Sequence, residues 1–167
     1  HLSVLETLKQ LEELFNFEVT YLDVDENGLI SIEDLKKNIR NDTILVSVMA
    51  VNNEVGTIEP IEEIGKLLKD YPKIFFHVDA TQAIGKIKID YKDVDLISFT
   101  AHKFYGPKGV GVLIKKDNIL IEPLIHGGKS TTIYRSGTPA LPMIVSTMKA
   151  LELSIPKIEE NNKYISK

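Results

Sequence analysis

The chain is 167 residues long, carries a net charge of −4, and is 43% hydrophobic and 26% charged. That length builds one domain with a substantial core, and an acidic balance without a basic block argues against a nucleic-acid surface. Cysteine is absent, which removes disulfides, thiolate metal sites and cysteine nucleophiles from this stretch and suits a reducing, cytoplasmic compartment.

Leu2, Leu5, Leu8, Leu11 and the Leu14/Phe15 pair recur at helical spacing and predict an amphipathic helix over 3–15. The start on His1, directly into this helix, reads as the interior of a longer protein. "FEVTYLDV" alternates and is rich in β-branched residues, so a strand is expected over 18–22. "SIEDLKKNI" follows, with Ser31 as N-cap and Asp34 three residues on, and predicts a helix over 32–40. The continuous apolar run "TILVSVMAV" (43–51) has the pattern of a strand buried on both faces.

"PIEEIGKLLKDY" opens with Pro60 at a first helical position and carries early glutamates, which favours another helix. "KIFFHVDA" (73–80), "VDLISFTA" (94–101) and "VGVLIK" (110–115) read as three more strands, and "LPMIVSTMKALELSI" as a closing helix. Alternating strands and helices with buried strands predict an α/β fold: a mainly parallel sheet with helices on both faces. No run is apolar for long enough to span a membrane.

Two loops resemble ligand motifs. "DVDENGLISIED" (23–34) places Asp23, Asp25 and Asn27 at the first ligand positions of a calcium loop and Gly28 at its turn. Its twelfth position is Asp34 instead of glutamate, and a strand rather than a helix enters it, so an Asn-Gly turn before a helix is the better reading and no metal is expected. "HGGKSTTIYRSGT" (126–138) contains the last four letters of a P-loop. The glycine that should stand five positions before Gly128 is Pro123, which has no N–H for a phosphate. An anion cradle and a plain polar turn both remain open for this loop on its own chemistry.

Ligands of open parallel sheets sit beyond the carboxyl ends of the strands. Here those ends read Asn52-Asn53-Glu54, then Asp79 with Gln82 after it, then Thr100 followed by His102 and Lys103. Each has an ordinary alternative: a turn cap, a structural histidine, a solvated lysine. Taken together they form a set. A lysine at the end of an apolar strand is expected to be partly desolvated and nucleophilic toward an aldehyde. An acid one strand away suits a pyridinium nitrogen, and Thr100 and His102 suit a phosphate. Lysine, acid and phosphate cradle are the binding set for pyridoxal phosphate.

"HVDATQAIGKIKID" followed by "DLISFTAHKFYGPKGVGVLI" resembles the core of the cysteine desulfurases, within the class V aminotransferase-like pyridoxal phosphate enzymes. "VNNEVGTIEPI" and "RSGTP" match the same family in order and spacing, so the resemblance runs over nearly the whole chain. It implies a fold type I transferase, with residues 1–167 as a partial coenzyme-binding large domain, the N-terminal segment and the C-terminal small domain being absent.

Lys103 would carry the coenzyme and move the substrate Cα proton. Asp79 would pair with the ring nitrogen and Gln82 with the ring hydroxyl. Thr100 and His102 would hold the phosphate, and Asn53 would lie near the ring hydroxyl and substrate carboxylate. His1 would stack on the ring, and Thr138 would reach the phosphate of the neighbouring subunit in a homodimer. The resemblance further implies L-cysteine as substrate, a sulfur-acceptor or scaffold protein as partner, a role in iron-sulfur cluster assembly, and a catalytic cysteine outside this stretch. Lys129-Ser130-Thr131 departs from the family's usual continuation of "HGG" and leaves the subfamily and sulfur acceptor open. A selenocysteine lyase or aminotransferase of the same fold is the nearest rival; a nucleotide-binding or calcium-binding module is a remote one.

Overall fold

The computed structural model describes residues 1–128 and 132–167; Lys129, Ser130 and Thr131, the centre of the "GKST" loop, lie outside them. Helix α1 (Leu2–Phe15) begins at His1, whose Nδ1 accepts from the Ser3 amide, and ends at Asn16 in the left-handed conformation. Helix α2 (Ile32–Asn38) is capped by Ser31, whose Oγ accepts from the Asp34 amide at 3.2 Å, as its capping signal predicts.

Four strands make one sheet in the order β1 (Leu45–Met49), β2 (Phe75–Asp79), β3 (Leu96–Thr100), β4 (Gly111–Lys115). The first three are parallel, with Met49 opposite Asp79 and Asp79 opposite Ser98. β4 runs antiparallel to β3, because the short 3-10 turn Ala101–Phe104 and the loop after it reverse the chain without a helical crossover. Helix α3 (Ile61–Leu68) joins β1 to β2, with Pro60 at its N-cap.

Successive strand residues face opposite sides, and the two faces of this sheet differ. One carries Val46, Phe76 and Val78, closed by Ile61, Ile64 and Leu68 of α3 and by Leu35 of α2, and farther along it Phe99. Helix α4 (Leu141–Ser154) extends that core through Ala150, which packs with Phe99, Ala101 and Phe104. The other face carries Ser47, His77, Asp79, Ser98 and Thr100, all half-buried. The buried helix contacts therefore gather on one face, and the second face is a polar floor. This corrects the expectation of uniformly apolar strands: β1, β2 and β3 alternate.

Two further expectations change. Residues 17–22 form no strand; the nearest pairing is a single bridge, Val24 to Ile30. An extended segment becomes a strand only through a hydrogen-bonded neighbour. Among the described residues β1 is the outermost strand, and a cavity of about 1020 Å³ lies between it and residues 17–22, with Leu5, Leu8 and Leu11 of α1 on its wall. The closing helix does not stop at Ile155: a 3-10 turn (Ile155–Lys157) containing Pro156 leads into helix α5 (Ile158–Ile165). None of the helices among the described residues is long and apolar enough to cross a membrane.

The calcium-like loop is a turn. Asp25 Oδ1 accepts from the amides of Asn27 (2.9 Å) and Leu29 (2.8 Å), and Gly28 takes φ 80°. These bonds hold the Asp25 carboxyl below its ordinary range, the Leu29 amide contributing most. A carboxylate committed to its own backbone is chemistry for a turn.

Candidate functional site

The site is built on the polar floor, from its lower row upward. His77 stands between two hydroxyls of the neighbouring strands: Ser47 Oγ lies 2.8 Å from Nδ1 and Ser98 Oγ 2.9 Å from Nε2. Burial lowers the His77 pKa from its ordinary value, and the Asp79 carboxylate opposes that shift. Two residues on, at the end of the same strand and on the same face, stands Asp79. Its Oδ1 accepts from the Thr81 amide at 3.0 Å, which fixes the carboxylate at the start of the turn. Oδ2 has no hydrogen-bond partner among the described residues.

That turn carries Gln82, whose Oε1 accepts from Lys86 Nζ at 2.5 Å, both side chains half-buried. Gly85 makes this placement possible. It has φ 75°, and a Cβ there would lie 3.0 Å from Phe104 Cβ and 3.2 Å from Ser154 Cβ. The Gln82 turn therefore lies directly against the 3-10 turn that holds His102 and Lys103. Ser154 Oγ, donating to the Phe104 carbonyl at 3.3 Å, ties α4 to the same place. Gly106 closes the 3-10 turn by donating its amide to the Ala101 carbonyl at 2.9 Å, where a Cβ would meet Ala101 Cβ at 2.8 Å.

Lys103 is exposed, which corrects the expectation of a partly desolvated lysine. The cause is the three-residue period of the turn. Ala101 and Phe104 take the buried positions, and His102 and Lys103 face outward between them. Thr100 Oγ1 donates to the Val110 carbonyl at 2.8 Å and lies 3.0 Å from His102 Nδ1. A hydroxyl has one proton, so with that proton on Val110 the donor of the second bond is His102 Nδ1. Thr100 thus orients the imidazole, and its own proton must turn away from Val110 before it serves a ligand.

Asn53 is exposed. The asparagine that organises this strand end is Asn52, whose Oδ1 accepts from the amides of Glu54 (2.9 Å) and Val55 (3.1 Å). Asn52 was expected at this strand end without a role of its own; the Asx-turn signal in "NNEVG" supplies one. His1 is exposed, but lines the same cavity as Ser47, Met49, Asn52 and Asp79. The structure thus brings Asp79, Gln82, Thr100, His102 and Lys103 to one end of the sheet, with His1 across a cavity that Asp79 shares. Thr138 is exposed in the loop after β4 and forms no hydrogen bond to these residues among those described. Ser136 ties that loop together, its amide donating to the Ile125 carbonyl at 3.1 Å and its Oγ to the Gly128 carbonyl at 3.2 Å.

Compared with known proteins, residues 1–166 match the family model described as aminotransferase class-V. The chain is 51% identical over 168 residues to a protein named cysteine desulfurase IscS from Clostridium botulinum, covering 99% of this chain and 42% of that protein. The protein of the same name from Methanosarcina thermophila is 48% identical over 169 residues, covering 100% of this chain and 41% of its own length. Among solved structures, one titled NifS-like protein superposes with a TM-score of 0.92 at 45% identity, over 98% of this chain and 45% of its own. Another, titled SspA in complex with cysteine, does so with a TM-score of 0.86 at 43% identity, over 91% of this chain and 44% of its own. The chain spans less than half the length of these relatives.

Proposed function

The chain belongs to the class V aminotransferase family, and from that premise we propose that it is the coenzyme-binding part of a pyridoxal phosphate-dependent cysteine desulfurase. The observation that carries the reading is the donor set at one end of the sheet. Among the described residues Asp79 keeps one carboxylate oxygen without a protein partner, and no ion pair or hydrogen bond engages the Lys103 ammonium. His102 presents Nε2 outward while Nδ1 is held by Thr100. An acid, a free lysine and an oriented imidazole fit a cationic ring nitrogen, an aldehyde and a phosphate. The relatives named cysteine desulfurase support the choice within the family.

When bound, the coenzyme supplies an electron sink for the charge that develops at the substrate Cα. The protein's part is then as follows. Lys103 would hold the coenzyme through its amine and would move the Cα proton of L-cysteine. Asp79 would keep the ring nitrogen protonated, Gln82 would meet the ring hydroxyl, and Thr100 and His102 would hold the phosphate. His1 would stack on the ring, Asn53 would lie near the ring hydroxyl and the substrate carboxylate, and Thr138 would reach the phosphate of a second subunit. The sulfur leaves by attack of a thiolate on the substrate sulfur. The C–S electron pair stays with carbon, which is protonated to give L-alanine, and the sulfur remains as a persulfide for an acceptor protein. The chain has no cysteine, so that thiol comes from outside these residues. Residues 1–167 are on this reading part of a large domain that dimerises and acts in the cytoplasm. The relative from Arthroderma benhamiae is named mitochondrial, so fractionation decides the compartment.

The test is to add pyridoxal phosphate, reduce with borohydride and map the modified peptide. The expected tag is on Lys103, and Lys103→Ala removes it. Tagging confined to another lysine in the native protein overturns the assignment.

A further inference from the structure

Lys86 has no place in the roles assigned above, yet its surroundings are unusual for a lysine. It is half-buried, and no carboxylate pairs with it among the described residues. Among the described residues its ammonium makes one hydrogen bond, to Gln82 Oε1 at 2.5 Å. Its pKa is lowered, chiefly by burial and further by the charge of Lys103. A lysine facing solvent beside a glutamine would show none of this. A half-buried cation without a counter-ion is costly by itself and favours a nearby anionic ligand.

The hydrogen bond has a directional consequence. An ammonium has three donors and no acceptor, whereas a carboxamide presents an acceptor on one side and donors on the other. With Lys86 on Oε1, Gln82 must turn its NH₂ the opposite way. Gln82 Nε2 has no protein partner among the described residues, and Gly85 presses this turn against the one that carries Lys103.

We propose that Lys86 is a positioning residue that locks the Gln82 carboxamide in the orientation that donates to the coenzyme's ring oxygen. The inference rests on the reading of Gln82 as the partner of that oxygen. Lys86 also differs from Lys103 in a way that separates their roles: the Lys86 ammonium is committed to Gln82, and the Lys103 ammonium is free to meet the aldehyde.

The experiment measures pyridoxal phosphate affinity by absorbance, and the Gln82 side-chain amide signals by NMR without coenzyme. In Lys86→Met the carboxamide loses its lock. The Gln82 amide signals should shift or broaden, and coenzyme affinity should fall about tenfold, the loss of one hydrogen bond to a charged partner. Lys86→Arg keeps a donor-only cation and should stay within about twofold of the native affinity. In a Gln82→Ala background, Lys86→Met should weaken binding no further, since the route through Gln82 is already cut. Unchanged affinity in Lys86→Met overturns the proposal, and so does a Lys86→Met effect that persists in full without Gln82. Borohydride tagging separates the two failures: if the native protein is not tagged on Lys103, the functional reading itself falls and this inference with it.

Discussion

His77 offers the sharpest test of how the polar floor is held together. Replacing it with Phe keeps ring volume but leaves the hydroxyls of Ser47 and Ser98, 2.8 and 2.9 Å from its nitrogens, without their partner. Each lost hydrogen bond between half-buried neutral groups costs about 1 kcal/mol, so His77→Phe should lose about 2 kcal/mol. For a chain of this size that is a fall of roughly 4–8 °C in thermal midpoint. The pH dependence gives an independent reading. The folded-state pKa of His77 lies below the ordinary 6.5 because burial disfavours the charged ring. Protonation therefore favours the unfolded chain. The stability tied to neutral His77 is complete above pH 6.5 and drains as pH falls from there through the lowered folded-state value. Urea unfolding across this window should show native stability declining with acid and His77→Phe declining less steeply. Adding Ser47→Ala and Ser98→Ala to His77→Phe removes the orphaned hydroxyls and should recover much of the loss. A His77→Phe protein as stable as the native one, or a triple variant weaker than the single one, would refute the cross-strand account.

Three further outcomes follow from buried polar groups and one glycine. Tyr91→Phe should raise stability by about 1 kcal/mol in urea unfolding, because the Tyr91 hydroxyl is buried without a partner among the described residues and its pKa is pushed up to about 12 by burial. Glu59 is 6% exposed, and its carboxyl is raised above the ordinary value, by burial first and by the charge of Asp25 as well, while the Ile30 amide opposes the shift. A raised acid stabilises the fold when protonated. Glu59→Gln should therefore melt higher than the native protein at pH 7, with the gap closing as pH falls through the raised pKa. Gly85→Ala should cost roughly 1–2 kcal/mol from the left-handed backbone alone, and more from the 3.0 Å approach to Phe104. Gly109→Ala is the control, having φ 83° but nothing within 4 Å of a Cβ, and should lose only the backbone part; equal losses at the two glycines would show that the Phe104 contact is not tight.

The chain by itself determined the elements whose signals are local. The leucine spacing of α1, the Ser31 cap of α2, Pro60 before α3 and the apolar runs of β1 to β4 each act within a few residues, and the helices and strands appear where those signals lie. The candidate site was legible for a similar reason: Asp79 and Thr100 end strands, His102 and Lys103 lie in the turn that follows, and strand ends are where parallel sheets gather ligands. Tertiary structure decided what depends on partners distant in sequence. Residues 17–22 carry a strand pattern, but a strand needs a hydrogen-bonded neighbour and none lies beside them among the described residues. The polar row Ser47–His77–Ser98 exists only because register aligns three strands 21 to 30 residues apart. The exposure of Lys103 follows from a three-residue turn that gives Ala101 and Phe104 the buried positions. The Gln82–Lys86 corner depends on Gly85 fitting against Phe104 and Ser154, a contact between segments that no local pattern encodes, because packing is set by shape across the fold and not by spacing along the chain.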